Sequence, residues 1–279
     1  MVDEYVHARP SAPLRPHVGR YSGYRQAGVA AGTHRGLPSP YLTLIFTIDD
    51  PLVVAGHPDP RQPPGRYDAL VGGLHVTPAT ITHDGFQSGV QVALHPLACR
   101  DLLGMPAGEL AGVDVDAAAV LGDETVDRVR EGLRAARGWA QRFAVVDAEL
   151  RRRLRRGTAH PDVAYAFDRL LDTGGRVSVA TLAAETGWGA RHLTHLFRAE
   201  TGLGLKAAAR VVRFDRARRR LRPGVRLASV AAEAGYYDQA HLAREFHAFA
   251  GCPPSQWMAE EIGFVQAAEP AGDHHGTHD

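Results

Sequence analysis

The segment AAETG at residues 183–187 returns as AAEAG at residues 231–235, and this repetition decides how the C-terminal half of the chain folds. Further identities follow each copy at matching distances: His192-Leu193 with His241-Leu242, Phe197 with Phe246, and Gly202 with Gly251. The second copy is longer by one residue, which falls between its glycine and its histidine. Matched spacing in both copies indicates that one structural unit is used twice.

Each copy predicts two helices separated by a tight turn. Gly187 and Gly235 supply the left-handed backbone that ends the first helix of each unit. In the first copy Leu193 and Phe197 are four residues apart, so they lie on one face of the second helix and pack inward. The opposite face stays free. This is the layout of a helix-turn-helix, whose second helix can enter the major groove of DNA.

The segment between the copies is strongly basic. Between Gly204 and Arg222 the only acidic residue is Asp215, and eight residues are basic: Lys206, Arg210, Arg213, Arg216, Arg218, Arg219, Arg220 and Arg222. Residues 158–258 contain 14 basic and 9 acidic side chains, whereas the rest of the chain contains 18 and 22. This asymmetry favours a DNA-binding half joined to a half that does not bind DNA. Taken alone, the charge also fits a solvated arginine-rich helix.

The same segment predicts a rigid spacer between the two units. Residues 206–221 contain neither glycine nor proline, and Pro223-Gly224 follows as a stop signal. As one helix they would span about 24 Å at ~1.5 Å per residue. Such a spacer can hold two recognition helices about one DNA turn, roughly 34 Å, apart.

Residues 179–257 resemble the DNA-binding domain of the AraC/XylS family of bacterial transcription regulators. The most telling parts are GYYDQAHLAREF at 235–246 and GCPPSQW at 251–257. The resemblance implies two helix-turn-helix units on a long helix, binding successive major grooves on one face of double-stranded DNA. One departure is that Gly189 and Ala190 stand where the family often has serine and a bulkier residue. A weaker helix cap there costs about 0.5–1 kcal/mol relative to serine.

The resemblance also implies which side chains meet DNA. Base-reading positions fall on Arg191, Thr194, His195, Gln239, Ala240, His241 and Arg244. Phosphate contacts are expected from Arg198, Lys206, Arg210, Arg218 and Arg219. Arg244 could pair with guanine, Gln239 with adenine, and Ala240 could touch a thymine methyl. Alternatively, Arg244 contacts a phosphate, and His192 and His241 are partly buried beside their neighbouring leucines.

The N-terminal half predicts short antiparallel strands. Residues 41–48 read YLTLIFTI and end at the turn signal Asp49-Asp50-Pro51. Further strands are expected at 52–55, 68–74, 79–82 and 89–94, with a proline-rich loop at 58–65. This spacing favours a sandwich or barrel. Helices are then expected at 96–103, 123–137 and 140–156, where the last two form a pair covering the β domain, a second subunit, or both.

The fold class is therefore α+β, with an N-terminal antiparallel β part and a C-terminal all-helical part. We expect a sensor and dimerisation domain at 1–157, the DNA-binding domain at 158–262 and a disordered tail at 263–279. The boundary is placed after the charged run RRRLRRG at 151–157, which is typical of a linker.

In the AraC/XylS family the partner domain is commonly a cupin-like barrel that binds an effector and can form a homodimer. Residues 89–104, with Leu110-Ala111-Gly112 after them, look like the strand-to-helix junction of such sensors. The leading hypothesis is thus a transcription regulator controlled by a small-molecule effector. The main alternative is a regulator whose N-terminal domain only dimerises and binds no effector.

Enzymatic alternatives lack their usual residues. A catalytic cupin needs clustered histidines and a carboxylate, yet His57, His75, His83 and His95 are single and widely spaced. A DNA-repair enzyme carrying the same DNA-binding domain needs a metal-held cysteine cluster, and the chain has only Cys99 and Cys252, for which packing is the favoured role over a redox switch. No enzyme activity, catalytic residue, cofactor or metal site is predicted, although folding could still bring three histidines together.

Composition sets the remaining limits. The 279 residues carry a net charge of +1, so the whole chain has no bias towards polyanions. An apolar content of 44% excludes wholesale disorder. No apolar run approaches the roughly 20 residues that cross a bilayer, and the N-terminus does not resemble a secretory signal. A cytoplasmic protein without membrane association is expected.

Overall fold

A computed structural model describes residues 2–155, 157 and 159–261. Within those ranges the N-terminal part contains ten strands in two antiparallel sheets, which confirms the predicted fold class. The strands are β1 (Val2–Ala8), β2 (Val18–Ala27), β3 (Gly32–Gly36), β4 (Leu42–Thr47), β5 (Leu52–Gly56), β6 (Gly65–Tyr67), β7 (Ala69–Gly72), β8 (Ala79–His83), β9 (Phe86–Leu94) and β10 (Asp114–Asp116). The larger sheet has the order β1-β2-β9-β4-β7-β10, and the smaller has the order β3-β8-β5-β6.

Strand β4 shows why the larger sheet is buried on both faces. Successive side chains of a strand point to opposite faces. Leu42, Leu44 and Phe46 pack into the main N-terminal core. Ile45 instead joins an apolar cluster with Val54 and other residues of the smaller sheet. Because both faces of β4 are covered, its sequence is a continuous apolar run at 41–48 rather than an alternation of apolar and polar residues.

The helical pair of the N-terminal part covers the face opposite the smaller sheet. The pair consists of α3 (Asp123–Ala135) and α4 (Trp139–Arg153), and two short helices precede it, α1 (Cys99–Leu102) and α2 (Ala117–Leu121). Val129 of α3 and Val146 of α4 are buried in the same core as the strands. Arg130 donates to the carbonyl of Thr47 at 3.2 Å and pairs with Asp68 at 2.7 Å, which fixes α3 across the sheet. The predicted cover of the β domain by this pair is therefore confirmed.

The C-terminal part is all-helical, as predicted. Its helices are α5 (Pro161–Asp172), α6 (Val179–Thr186), α7 (Ala190–Thr201), α8 (Leu205–Arg218), α9 (Leu227–Ala234), α10 (Gln239–Ala250) and α11 (Pro254–Glu261). Helix α8 ends three residues earlier than predicted, because Arg220 and Leu221 donate to carbonyls three residues back and tighten the chain into turns. Its 14 residues span about 21 Å at ~1.5 Å per residue.

The two parts pack directly against each other. The His95 ring lies 4.7 Å from the Phe167 ring of α5. Arg100 of α1 makes a two-point ion pair with Glu200 at the end of α7, with nitrogen–oxygen distances of 2.9 and 2.8 Å. Gly108 lies so close to α7 that a Cβ atom there would collide with the carbonyl oxygen of Ala199. The first helix-turn-helix unit therefore rests on the β domain.

Two expectations are limited by the described ranges. The predicted tail at 263–279 lies outside the described residues. None of the helices within the described ranges has both the length and the apolar character needed to cross a membrane.

Candidate DNA-binding site

The first helix-turn-helix unit consists of α6 and α7. Gly187 adopts φ 72°, the left-handed conformation predicted for the end of α6. Leu193 and Phe197 are fully buried, and Phe197 stacks on Phe167 at 6.0 Å between ring centroids. Because these residues hold one face of α7 against α5, the opposite face points to solvent.

The second unit repeats this arrangement in α9 and α10. Gly235 adopts φ 83°, and the Tyr236 amide donates to the carbonyl of Ala231 at 2.8 Å. Leu242 and Phe246 are buried, and the Phe246 ring packs 5.1 Å from Phe214 of α8. Helix α8 thus contributes to the core on which α10 rests, and its other side belongs to the core of the first unit.

The two recognition helices begin differently. The Asp238 carboxylate accepts a hydrogen bond from the His241 amide at 2.6 Å and caps α10. Gly189 stands at the same position before α7 and forms no side-chain cap. Because Gly189 stands where the family often has serine, the start of α7 lacks one of the acceptors that satisfy amides at the beginning of a helix.

The residues expected to read bases lie on the outward faces of α7 and α10. Those exposed to solvent are Arg191, His195, Gln239, Ala240 and Arg244. Thr194 is half-buried, and its hydroxyl donates to the carbonyl of Ala190 at 2.7 Å. His241 is half-buried with its ring 5.2 Å from Tyr236, as the burial alternative expected. His192 is exposed and lies 4.5 Å from the Trp188 ring, so for this residue the burial alternative is wrong.

Among the expected phosphate contacts, Arg198 and Lys206 are exposed. Arg210 is half-buried, pairs with Glu245 at 2.5 Å and lies over the Phe249 ring at 5.0 Å. Its guanidinium is therefore held by α10, and only part of it reaches solvent.

Arg218 and Arg219 correct the sequence-based expectation. The Arg218 side chain is 4% exposed and donates to Asp215 at 2.9 Å, while Arg219 donates to the same carboxylate at 2.8 Å. Burial raises the pKa of Asp215, but the charges of Arg219 and Arg218 outweigh burial and hold this pKa well below its ordinary value. Arg20 of β2 is close enough for its charge to interact with those of Asp215, Arg218 and Arg219. Both guanidinium groups are thus bound to a buried carboxylate of their own helix, with side chains only 4% and 10% exposed, which does not suit a contact with a DNA phosphate.

A basic cleft lies between the two units. It has a volume of about 620 Å³, and its charged lining consists of Arg176, Lys206, Arg210, Arg213 and Glu245. The Arg213 guanidinium donates to the carbonyl of Gly175 at 2.9 Å and lies 5.7 Å from the Tyr236 ring. Sequence reasoning did not single out Arg176, which follows α5 in a loop, or Arg213, which was one of eight basic residues. The cleft can neutralise an anionic backbone that passes between the units.

Both cysteines and His57 behave as packing residues. Cys99 and Cys252 are free and buried, and burial raises the pKa of the Cys99 thiol to about 12. His57 is buried and hydrogen-bonded to Asp114 at 2.7 Å. Among the described residues, no three histidine, cysteine or carboxylate side chains converge as metal ligands.

Comparison with known proteins finds a family match in each half of the chain. Residues 182–260 match a family model described as a helix-turn-helix domain, which is of the AraC type. Residues 6–116 match a family described as a domain of unknown function, DUF6597. No curated protein matches the chain.

Two solved structures of ToxT from Vibrio cholerae share the fold. One, with an unsaturated fatty acid bound, is 7% identical and covers 92% of this chain and 99% of its own, with a TM-score of 0.53. Another is 10% identical and covers 88% of this chain and 98% of its own, with a TM-score of 0.51. Residues 182–260 are thus a helix-turn-helix domain of the AraC type, and the chain as a whole shares the fold of the ToxT structures.

Proposed function

We propose that the chain regulates transcription by binding a specific double-stranded DNA sequence through α7 and α10, under the control of a small molecule in the N-terminal domain. One observation carries this proposal. Two helix-turn-helix units share the helix α8 and present polar, exposed faces on their second helices. Such faces are suited to hydrogen bonding with base edges in the major groove.

We assign base reading to Arg191, Thr194 and His195 in the first unit. In the second unit the same role falls to Gln239, Ala240, His241 and Arg244. Arg244 can make a two-point contact with guanine O6 and N7, and Gln239 can do the same with adenine N6 and N7. The cap by Asp238 orders the start of α10, so the second unit is the better organised reader.

We assign phosphate contacts to Arg198, Lys206 and Arg210, and we add Arg176 and Arg213 from the basic cleft. Each neutralised phosphate releases counterions, so it contributes about −0.9 to the slope of log affinity against log salt. Basic side chains around a cleft between two readers, with Arg176 and Lys206 exposed, fit the strand that runs from one major groove to the next.

The effector is assigned to a cavity between the two sheets. It measures about 410 Å³ and is lined by residues of both sheets, among them Tyr24, Thr47, Leu52, Arg66 and Phe86. This volume suits a small ligand, since such sites span about 300–1,000 Å³. The solved ToxT with an unsaturated fatty acid bound has the same overall fold, which supports an effector in this one. We also propose a domain division at residue 157, a homodimer and a cytoplasmic location.

The DNA-binding proposal is tested by selecting binding sites for the full chain from random duplexes. We expect a site with two conserved blocks and an affinity that falls steeply with salt. Arg244→Ala should cost about 1–3 kcal/mol on that site and relax the preference at one base pair. Identical base preferences in Arg244→Ala and the parent would make Arg244 a phosphate contact, and no binding at low salt would refute the proposal.

The effector proposal is tested by a thermal-shift screen of small molecules, read together with DNA affinity. A ligand of the cavity should raise the melting temperature of the parent but not of Thr82→Tyr, whose larger side chain fills the cavity. Val76→Tyr changes an exposed residue outside the cavity lining and is the matched control. A ligand that stabilises all three proteins equally would place the site elsewhere.

A further inference from the structure

The turn before α10 carries an aromatic residue that the fold does not use. Tyr237 is 93% exposed, which makes it the most exposed large hydrophobic side chain among the described residues. Between the left-handed glycine and the helix cap, the first unit has only Trp188, whereas the second unit has Tyr236 and Tyr237. The extra residue that distinguishes the two units therefore places an aromatic ring in solvent.

The backbone around Tyr237 is anchored on both sides. Tyr236 is buried, and its amide donates to the carbonyl of Ala231 at 2.8 Å. Asp238 accepts from the His241 amide at 2.6 Å. The position of Tyr237 is thus fixed by its two neighbours, and its ring points outward from a well-ordered turn.

Other exposed aromatic residues of this domain are held by their own neighbours. The Trp188 indole donates to Asp162 at 2.7 Å, and its ring lies against His192. The Tyr165 hydroxyl donates to Glu185 at 3.1 Å. Both rings are less than half as exposed as that of Tyr237. Packing within the chain explains Trp188 and Tyr165 and does not explain Tyr237.

The location of Tyr237 indicates a partner. A recognition helix contacts base edges with its N-terminal residues. Tyr237 lies two residues before Gln239, the first residue of α10, so its ring is at the end of the helix that meets DNA. A ring just outside the helix start faces the rim of the groove, where the sugar–phosphate backbone runs. Tyrosine suits this place because its ring packs on an apolar sugar while its hydroxyl donates to a phosphate.

We propose that Tyr237 packs on a deoxyribose and donates to a phosphate of the strand flanking the groove that α10 enters. In this way it sets the depth and angle of α10. The inference rests on the proposed DNA-binding function, and it makes Tyr237 a positioning residue rather than a reader of bases. Since the first unit has no counterpart, the effect belongs to the second half-site alone.

The test is a fluorescence-anisotropy titration of the full chain on its selected duplex. Tyr237→Ala should lower the affinity about tenfold, in line with loss of an aromatic interface anchor. Tyr237→Phe should lower it about threefold through the lost hydrogen bond. Tyr165→Phe removes the same atom from an exposed tyrosine away from the groove and should bind like the parent. The melting temperatures of the Tyr237 variants should be unchanged.

A second duplex, with the half-site of α10 scrambled, separates positioning from a general effect. On it, Tyr237→Ala and the parent should bind equally. Equal affinities on the intact site would overturn the inference while leaving the proposed function standing, because the parent still binds. Normal DNA binding with lost transcription activation would also overturn it, in favour of a protein partner. If the parent binds no duplex, both proposals fail.

Discussion

Two arginines of the DNA-binding domain have opposite surroundings. Arg244 is exposed on the outward face of α10, whereas Arg218 is buried against Asp215. A guanidinium can therefore face solvent on one helix and be bound to a buried carboxylate on another. Residue type alone does not separate these surroundings, since both residues are arginines of the same basic half of the chain.

At the residue scale, Arg218→Ala should destabilise the fold rather than weaken DNA binding. Removing one partner leaves the Asp215 carboxylate buried with less compensation, which costs about 3 kcal/mol. Urea unfolding of the variant measures this loss, and Arg222→Ala, an exposed arginine nearby, should leave stability unchanged. Unchanged stability with uniformly weaker DNA binding would return Arg218 to the role of a phosphate contact.

His95 predicts how stability depends on pH. Burial, with a smaller contribution from the charge of His17, lowers the pKa of His95 to about 4. The unfolded chain takes up this proton near an ordinary pKa of about 6.5, so the free energy of unfolding rises with pH between these values. His95→Asn should reduce the slope in that window by as much as about 1.4 kcal/mol per pH unit.

Urea unfolding at several pH values between 4 and 7.5 measures the slope. In the parent, the Leu97 amide donates a hydrogen bond to the His95 ring at 3.3 Å, and the side-chain oxygen of asparagine can accept the same bond. His247→Asn alters an exposed histidine of α10 and serves as the control. Equal slopes in His95→Asn and the parent would mean that His95 is protonated in the folded state.

At the element scale, the sequence predicted the repeat units and the central strands but missed others. Both recognition helices, the left-handed glycines and β4 follow from local patterns of glycine and apolar residues. Strands β1, β2, β3, β6 and β10 were not predicted. The sequence GTHRG of β3, for example, contains no large apolar residue. These strands form because neighbouring strands supply their hydrogen-bonding partners, which no local pattern reveals.

Some features of the candidate site could likewise be predicted from the sequence, and others could not. The outward residues of α7 and α10 could be predicted because helical spacing and the family resemblance fix the exposed face. The basic cleft and the burial of Arg218 could not, since they depend on which side of α8 meets the N-terminal domain. That choice involves residues distant in the chain, such as Arg20 of β2, whose charge interacts with that of Asp215.

The start of α10 predicts the cost of losing a cap. Asp238→Ala removes the acceptor for the His241 amide and should lower the free energy of unfolding by about 1 kcal/mol. Asp238→Asn keeps an acceptor and should lower the free energy of unfolding by only a few tenths of about 1 kcal/mol. Thermal unfolding of both variants distinguishes them. Equal losses would show that the charge, rather than the cap, stabilises the helix.

At the scale of the whole molecule, the N-terminal domain touches both helix-turn-helix units. Arg100 pairs with Glu200 of the first, and Arg35 of β3 pairs with Glu261 of α11 beside the second. Leu37 is also buried in the core of the second unit. The separation of the recognition helices is thus supported by α8 and by the β domain together.

Gly108→Val should open the contact between the domains. The close approach of Gly108 to the Ala199 carbonyl leaves no room for a side chain, so α7 and the β domain must separate. We expect faster proteolysis near residue 157 and a larger radius in small-angle scattering. Gly104→Val is the control for a glycine with open space around it, although its positive φ adds local strain. An unchanged radius in Gly108→Val would show that the interface adapts.

The central claim is that two units read successive major grooves on one face of DNA. Footprinting of the full chain on its selected site tests this most directly, with and without five base pairs inserted between the half-sites. We predict two protected grooves about 10–10.5 base pairs apart and, after the insertion, an affinity close to that of a single unit, because one groove has turned to the opposite face. Protection of one groove only, unchanged by the insertion, would contradict the claim and leave the uncapped α7 with no role in reading bases.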